Sequence, residues 1–235
     1  ERYRLDHDPI QEPVGVVCVS CRPHQLAAVA RNVGHQRDVD LEFVFVANDP
    51  GFDGIDIAAH FSHIPAVTVI VAEPAVALGT GLNMAMAATG TRFVAKFDDD
   101  DLYGPNYLAD SLRAHGYAGA AVVGKHSYYA DLASTQRRYL RFGGHDFSYS
   151  ATLAGGTLVI DRGYTGDLQF DDVSLGEDRS FIAQCHRRGW STFSADRFNF
   201  VQQRRHDNTW KATDEQFLQG AVEVEPESES HTVER

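Results

Sequence analysis

The chain has 235 residues, of which 43% are hydrophobic, enough for a substantial core in one domain. Its 33 acidic against 21 basic side chains leave a net charge of −12, which argues against non-specific binding to nucleic acid or to an anionic membrane surface. No apolar stretch approaches the ~20 residues of a bilayer span, no signal-peptide core stands near the start, and three cysteines cannot all pair, so a soluble chain in a reducing, cytoplasmic setting is expected. The first residue is Glu1 rather than Met, and the residues are expected to belong to a longer polypeptide. Membrane association through further regions or a partner therefore stays open, as does the oligomeric state.

Residues 1–13 are charged, contain two prolines and read as a surface arm. From Val14 the order is strand (VGVVCVS), helix (PHQLAAVARNVGHQ, with Pro23 in its first turn) and strand (LEFVFVA). VTVIVA (67–72) and RFVAKF (92–97) are further strands, with ALGTGLNMAMAATG as the helix between them. Continuous apolar strands separated by helices predict an α/β fold with a mostly parallel sheet covered on both faces.

Beyond residue 101, GAAVVGKHSYYA and TQRRYLRF read as longer, more alternating strands and GGTLVI as a short one. A helix is predicted over 177–188, stopped by Gly189, with STFSA and FNFVQQ after it. The tail, 216–235, acidic and rich in Glu and Ser from Gly220, is expected to be disordered. No internal repeat is present. Cys18 and Cys21 form a C-x-x-C, but Cys18 lies inside the first strand and no second ligand pair follows, so strand packing is expected rather than a zinc or redox site.

The segment AKFDDDDLYGP raises the functional question, because four carboxylates stand where the chain leaves a buried strand. On an extended backbone Asp98 and Asp100 project to one side and Asp99 and Asp101 elsewhere. Two carboxylates in proximity raise each other's pKa unless a cation neutralises them, and Mg²⁺ or Mn²⁺ takes such ligands together with substrate phosphates. Ligands of open α/β sheets bind beyond the carboxyl ends of the strands, where this cluster falls. A metal shared with a diphosphate is the expected reason that the charge is tolerated. The competing reading is a solvated acidic loop that caps the next helix.

The order of motifs (LGTGLN at a helix start, a strand ending in DDDD, GGTLVI, GED at 176–178 and HDNTW at 206–210) resembles a family 2 glycosyltransferase of the GT-A fold over residues 14–212. The resemblance implies a Rossmann-like nucleotide-sugar-binding sandwich with a mixed, mostly parallel central sheet and a smaller acceptor-side sheet. One domain, 14–215, would comprise a nucleotide-sugar half (14–101) and an acceptor half (102–215). The implied activity is metal-dependent, inverting transfer of a sugar from a nucleotide-diphosphate donor to a hydroxyl acceptor.

By the same resemblance, Asp98 and Asp100 match the D-x-D motif, Asp100 as the more direct ligand of Mn²⁺ or Mg²⁺ and Asp98 nearer the ribose and phosphates. Asp99 shares the cofactor site, Asp101 could buttress the loop, and His206 could be a third metal ligand. Asp178, with Glu177 beside it, matches the acidic motif that supplies the general base. Both also sit where a helix dipole welcomes negative charge. Ser20, Cys21 and Arg22 match the first nucleotide-binding position, and Asn48 and Asp49 the second. Gly79 and Asn83 match the helix start near the diphosphate, where the family's arginine is absent. Gly155, Gly156 and Thr157 match the acceptor side, Trp210 could stack on a sugar or base, and Arg204 and Arg205 could contact phosphate.

The implied donor is a UDP-sugar, with GDP- and dTDP-sugars as alternatives. The implied acceptor is a carbohydrate, lipid-linked, small-molecule or peptide hydroxyl, in bacterial glycan or glycoconjugate synthesis. An aspartyl-nucleophile phosphatase (Asp98 as nucleophile, Asp100 as acid) and a non-catalytic nucleotide-sugar or carbohydrate-binding module are the competing readings. A Rossmann dinucleotide site is disfavoured, because Met84 stands at the third glycine of the G-x-G-x-x-G pattern.

Overall fold

A computed structural model describes residues 10–74, 76–205, 208 and 210–224. β1 (Val14–Ser20) and β2 (Leu41–Ala47) coincide with the two apolar runs and pair in parallel along their full length, Val14↔Leu41 to Ser20↔Ala47. Between them lie a 3-10 turn, Pro23–Gln25, and α1 (Leu26–Gly34). There follow α2 (Ile57–His60), β3 (Val67–Val71), α3 (Leu78–Ala88), β4 (Phe93–Lys96) and β5 (Leu102–Tyr103). α4 (Tyr107–Ala118), which the sequence reading passed over, buries Leu108 and Leu112 and ends at Gly119 with φ +56°.

The second half comprises β6 (Val122–Gly124), β7 (Tyr128–Leu132), β8 (Arg137–Arg141), β9 (Ser148–Tyr149), a 3-10 turn (Gly155–Thr157) and β10 (Val159–Asp161). α5 (Arg162–Thr165), α6 (Glu177–Arg187), β11 (Thr192–Ser194), β12 (Phe200–Arg204), α7 (Asp214–Phe217) and β13 (Ala221–Val224) complete it.

The eight-stranded sheet runs β3-β2-β1-β4-β10-β6-β11-β9. Its first four strands are parallel, and β10 lies antiparallel to both β4 and β6. The alternation of β1 divides the core: Val14, Val16 and Cys18 face α1 and α4, while Val17 faces α3 and α6. The smaller sheet runs β13-β8-β7-β12-β5. An α/β architecture with a mixed, mostly parallel central sheet and a second, smaller sheet is thus present as expected.

Two expectations need correction. GAAVVGKHSYYA is not one strand: β6 belongs to the large sheet and β7 to the small one. The chain changes sheet at residues 125–127, where the buried Lys125 donates to the Asp196 carbonyl (2.6 Å). The tail is not disordered throughout, because Ala221–Val224 pairs antiparallel with β8 and Arg137 forms an ion pair with Glu223 (2.8 Å). Residues 1–9 of the expected arm and 225–235 of the tail lie outside the described residues. Of the arm's remainder, Ile10 packs on the core and Glu12 pairs with Arg92 (2.9 Å).

Candidate active site

The parallel register of β1 on β4 (Val17↔Lys96), carried three residues further, sets Ser20 beside Asp99. There the Ser20 hydroxyl donates to Asp99, and Arg22 reaches across from the end of β1. Arg22 donates from Nε to Asp99 (3.1 Å), from Nη2 to the other Asp99 oxygen and from Nη1 to Asp100 (2.8 Å). The Asn208 amide also donates to Asp100 (2.8 Å).

Because β4 ends at Lys96, the aspartates occupy a turn, and the extended alternation that would pair Asp98 with Asp100 does not apply. Asp99 and Asp100 share Arg22, whereas Asp98 belongs to Lys96 (Nζ to Oδ1, 2.7 Å). Asp101 is buried, accepts from the Gln203 backbone amide (2.9 Å) and ties the turn to β12, the buttress foreseen for it. Tyr103 sets the height of the turn: its hydroxyl accepts from the Asp98 amide (2.7 Å), donates to the Gly156 carbonyl (2.6 Å), and its ring stacks on Phe97.

Lys96, 2% exposed, is the centre of the site. Besides Asp98 it faces Asp178 (3.7 Å) and Glu177 (3.8 Å), the first two residues of α6. Burial disfavours its charged form, but the three carboxylates outweigh that and hold its pKa well above the ordinary lysine value. Burial would raise Asp178 as well, yet Lys96 and a hydrogen bond from Glu177 outweigh it and keep Asp178 ionised. Burial, then that hydrogen bond and the Asp178 charge, push Glu177 up to about 8. The two acids therefore titrate together, Glu177 upward and Asp178 downward. Asp178 Oδ1 is buried and accepts no hydrogen bond from the protein.

Backbone freedom is needed opposite this pair. A Cβ on Gly155 would lie 1.6 Å from Asp178 Oδ2, and one on Gly156 would lie 2.8 Å from Asp98 Oδ2. Glycine at both positions lets the 155–157 turn close over the carboxylates.

Glu177 makes a pH-dependent contribution to stability. An unfolded glutamate titrates near ~4.3, so between about pH 4 and pH 8 folding takes up a proton here. The stabilisation is complete below the unfolded value and is lost as pH rises through the folded one. Glu177→Gln retains a donor for Asp178 and removes the titration. Relative to wild type it is expected to gain stability steadily from pH 5 to pH 8 in urea unfolding. A difference constant across that range would place the proton elsewhere.

These groups line one cavity of about 870 Å³ between the two sheets. Arg22, Cys21 and Asn48 stand at its β1–β2 end, Asp98–Asp101 and Lys96 at its floor, and Gly155, Gly156, Glu177 and Asp178 on a further wall. Arg204 and Trp210 also border it, the indole 44% exposed. Asn48 gives its amide to the Val76 carbonyl (2.8 Å), while its buried Oδ1 has no partner.

Other residues singled out in the sequence lie outside the lining and are engaged elsewhere. Asp49 caps the Pro50–Phe52 turn by accepting from Gly51 (2.7 Å). Asn83 clamps the backbone of Phe170 with both amide atoms (2.8 and 2.9 Å). At Gly79 a Cβ would lie 1.9 Å from the Asp171 carbonyl, so the close approach it permits is to the protein's own chain. Thr157 is buried and accepts from the Lys125 amide (2.9 Å). Ser20 orients Asp99, and the Arg205 amide donates to Asn208. His206 lies outside the described residues.

Sequence reasoning missed Lys96, Tyr103 and Asn208. Lysine within the apolar run RFVAKF was the available signal for the first of these, since a charge buried in a parallel strand needs partners.

Among the described residues no three His, Cys, Asp or Glu side chains are placed to hold a metal ion by themselves. Arg22 and Lys96 already answer much of the aspartates' charge. The donor set nevertheless suits a hard cation that binds through one or two carboxylates, phosphate and water. Asp100 stays pushed up to about 6 by burial and by Asp99 despite Arg22, which leaves negative charge unmatched there.

No protein-family profile matches the chain, and no curated protein matches it in sequence. Solved structures do match its fold. Staphylococcus aureus TarS (residues 1–349) in complex with UDP-GlcNAc is similar with a TM-score of 0.64 at 14% identity, over 88% of this chain and 64% of that one. The mannosyltransferase PcManGT from Pyrobaculum calidifontis, in complex with GDP-Man and Mn²⁺, gives 0.64 at 16% identity, over 86% and 60%. The chain spans about three fifths of the length of these proteins. At such identities the likeness establishes the fold, which is that of the GT-A glycosyltransferases.

Proposed function

We propose that the chain is a metal-dependent, inverting glycosyltransferase that moves a sugar from a nucleotide-diphosphate donor to a hydroxyl acceptor. The observation that carries the reading is Asp178: a carboxylate on the cavity wall that Lys96, 3.7 Å from its Oδ1, keeps ionised. An ionised carboxylate there suits an incoming hydroxyl. As the acceptor oxygen forms its bond to the anomeric carbon, the anomeric carbon–phosphate oxygen bond breaks, its electron pair leaves with the diphosphate, and the acceptor proton passes to Asp178. Glu177, neutral, holds Asp178 by a hydrogen bond, and Lys96 fixes its distance from Asp98.

At the other end of the cavity Asn48 Oδ1 is free to accept from the base or ribose, and Arg22 holds Asp99 and Asp100 in place. Asp98 and Asp100 would hold a divalent ion, which when bound offsets charge on the departing diphosphate. The UDP-GlcNAc and GDP-Man complexes of the structural neighbours support a nucleotide-sugar donor.

The test is Mn²⁺-dependent thermal stabilisation by UDP-GlcNAc and GDP-mannose. A donor at 100 times its Kd should add ~2.7 kcal/mol to the wild type. Asp100→Ala is expected to abolish the Mn²⁺-dependent part of the shift. A variant that keeps it in full would sink the assignment of Asp100.

A further inference from the structure

The small sheet presents two buried arginines that face no carboxylate among the described residues. Arg141 of β8 pairs across the sheet with Tyr128 of β7, and β7 pairs onward with β12 through Ala130↔Gln202 and Leu132↔Arg204. Side chains two apart on a strand share a face, so Arg141, Tyr128, Gln202 and Arg204 project from one side of the sheet. All four line the cavity.

Arg141 is only 6% exposed. Its Nη1 donates to the Tyr128 hydroxyl (2.7 Å), and its guanidinium lies over Phe217 (4.0 Å to the ring centroid) and Phe142 (4.7 Å). Its Nε–H is buried without a hydrogen-bond partner. Arg204 stacks on the same Phe217 ring (5.2 Å) and gives its donors to the carbonyls of Trp210 and Ala212. Beside them Gln202 Oε1 is buried and likewise unpartnered.

Stacking on aromatic rings offsets part of the cost of burying a guanidinium, but an unpaired Nε–H and a second cation nearby leave the corner short of negative charge. The protein as a whole carries a net charge of −12, so this cationic corner runs against its surroundings. We propose that Arg141, with Arg204 behind it, forms an acceptor subsite for an anionic oxygen, carboxylate or phosphate, and that Gln202 Oε1 accepts from a hydroxyl beside it. The acceptor class is therefore one that carries a carboxylate or a phosphate. This rests on the glycosyltransferase reading, in which the nucleotide occupies the β1–β2 end of the cavity beside Arg22 and Asn48.

The probes are inorganic phosphate, glucuronate and its neutral counterpart glucose, titrated calorimetrically into the full chain with and without saturating UDP and Mn²⁺. Phosphate and glucuronate are expected to bind in the presence of UDP, glucuronate about tenfold or more tighter than glucose. Arg141→Gln should weaken both anions about tenfold or more. Gln202→Leu should weaken glucuronate and leave phosphate within about twofold. Loss of phosphate binding when UDP saturates the protein would assign the arginines to the donor diphosphate and overturn the proposal, as would equal affinity for glucose and glucuronate. If Arg141→Gln does not fold, the wild-type comparison and Gln202→Leu still decide. Failure of UDP to bind with Mn²⁺ would defeat the glycosyltransferase reading, while the titrations without UDP still report on the anion subsite.

Discussion

Asp178→Asn is expected to lower the transfer rate by ~10²–10⁴-fold while donor binding stays within about twofold, because an amide accepts no proton and Asp178 is separated from the nucleotide end by Lys96 and Asp98. Single-turnover transfer and calorimetric donor binding separate the two effects. A geometric companion keeps the carboxylate: Gly155→Ala would place a methyl group 1.6 Å from the present position of Asp178 Oδ2, so the side chain must swing away. Displacement of a base by about 1 Å can cost ~10²-fold, so this variant should lose rate with its carboxylate chemically intact. Asp178→Asn transferring at the wild-type rate would move the base to another residue. A wild type that binds donor but neither transfers nor hydrolyses it would leave the binding-module reading.

The parts of the fold that the sequence disclosed are those whose information is local. β1 and β2 are unbroken apolar runs, and their predicted limits agree residue for residue with Val14–Ser20 and Leu41–Ala47. The end of α6 was legible because Gly189 takes φ +76°, which a side chain disfavours. Tertiary pairing was not legible. The stretch GAAVVGKHSYYA has the composition of one strand, and long-range contacts such as Lys125–Asp196, 71 residues apart, set where it leaves one sheet for the other. Similarly, AVEV at the acidic C-terminal end looks unable to build a core, but it does not have to. As an edge strand on β8 it leaves Val222 exposed and matches Glu223 to Arg137.

The site was legible in residue type more than in arrangement. Carboxylates at 98–101 and 177–178 were identifiable from their places at a strand end and a helix start. What joins them, Lys96, sits inside a run that reads as pure core. Arg22 stood among the candidates as a nucleotide contact, yet its partners are Asp99 and Asp100, 77 and 78 residues away. The question posed by four adjacent aspartates thus has a first answer within the protein, Arg22 at one side and Lys96 at the other. Asn83 and Gly79, candidates for the diphosphate end, contact the Phe170–Asp171 segment of the protein's own chain.

Lys96→Met carries the largest expected effect on stability. Methionine fills much of the same volume but leaves Asp98, Glu177 and Asp178 around an apolar group in a site where Lys96 is 2% exposed. Removing one partner of a buried ionic cluster costs ~3–5 kcal/mol, since the remaining charges lose their compensation. The dependence on pH gives the cause. Without the cation the carboxylates have folded-state pKa values raised above those of the unfolded chain, so their contribution is retained in acid and lost as pH rises. The deficit of Lys96→Met against wild type is therefore expected to be largest near pH 8 and to shrink toward pH 5 in urea unfolding. A loss of packing alone would give the same deficit at both. If the variant proves as stable as wild type at pH 8, Lys96 is not the counter-ion that holds Asp98 and Asp178 in one site, and the distance between donor and base must be set by the backbone turn at Gly155 and Gly156 alone.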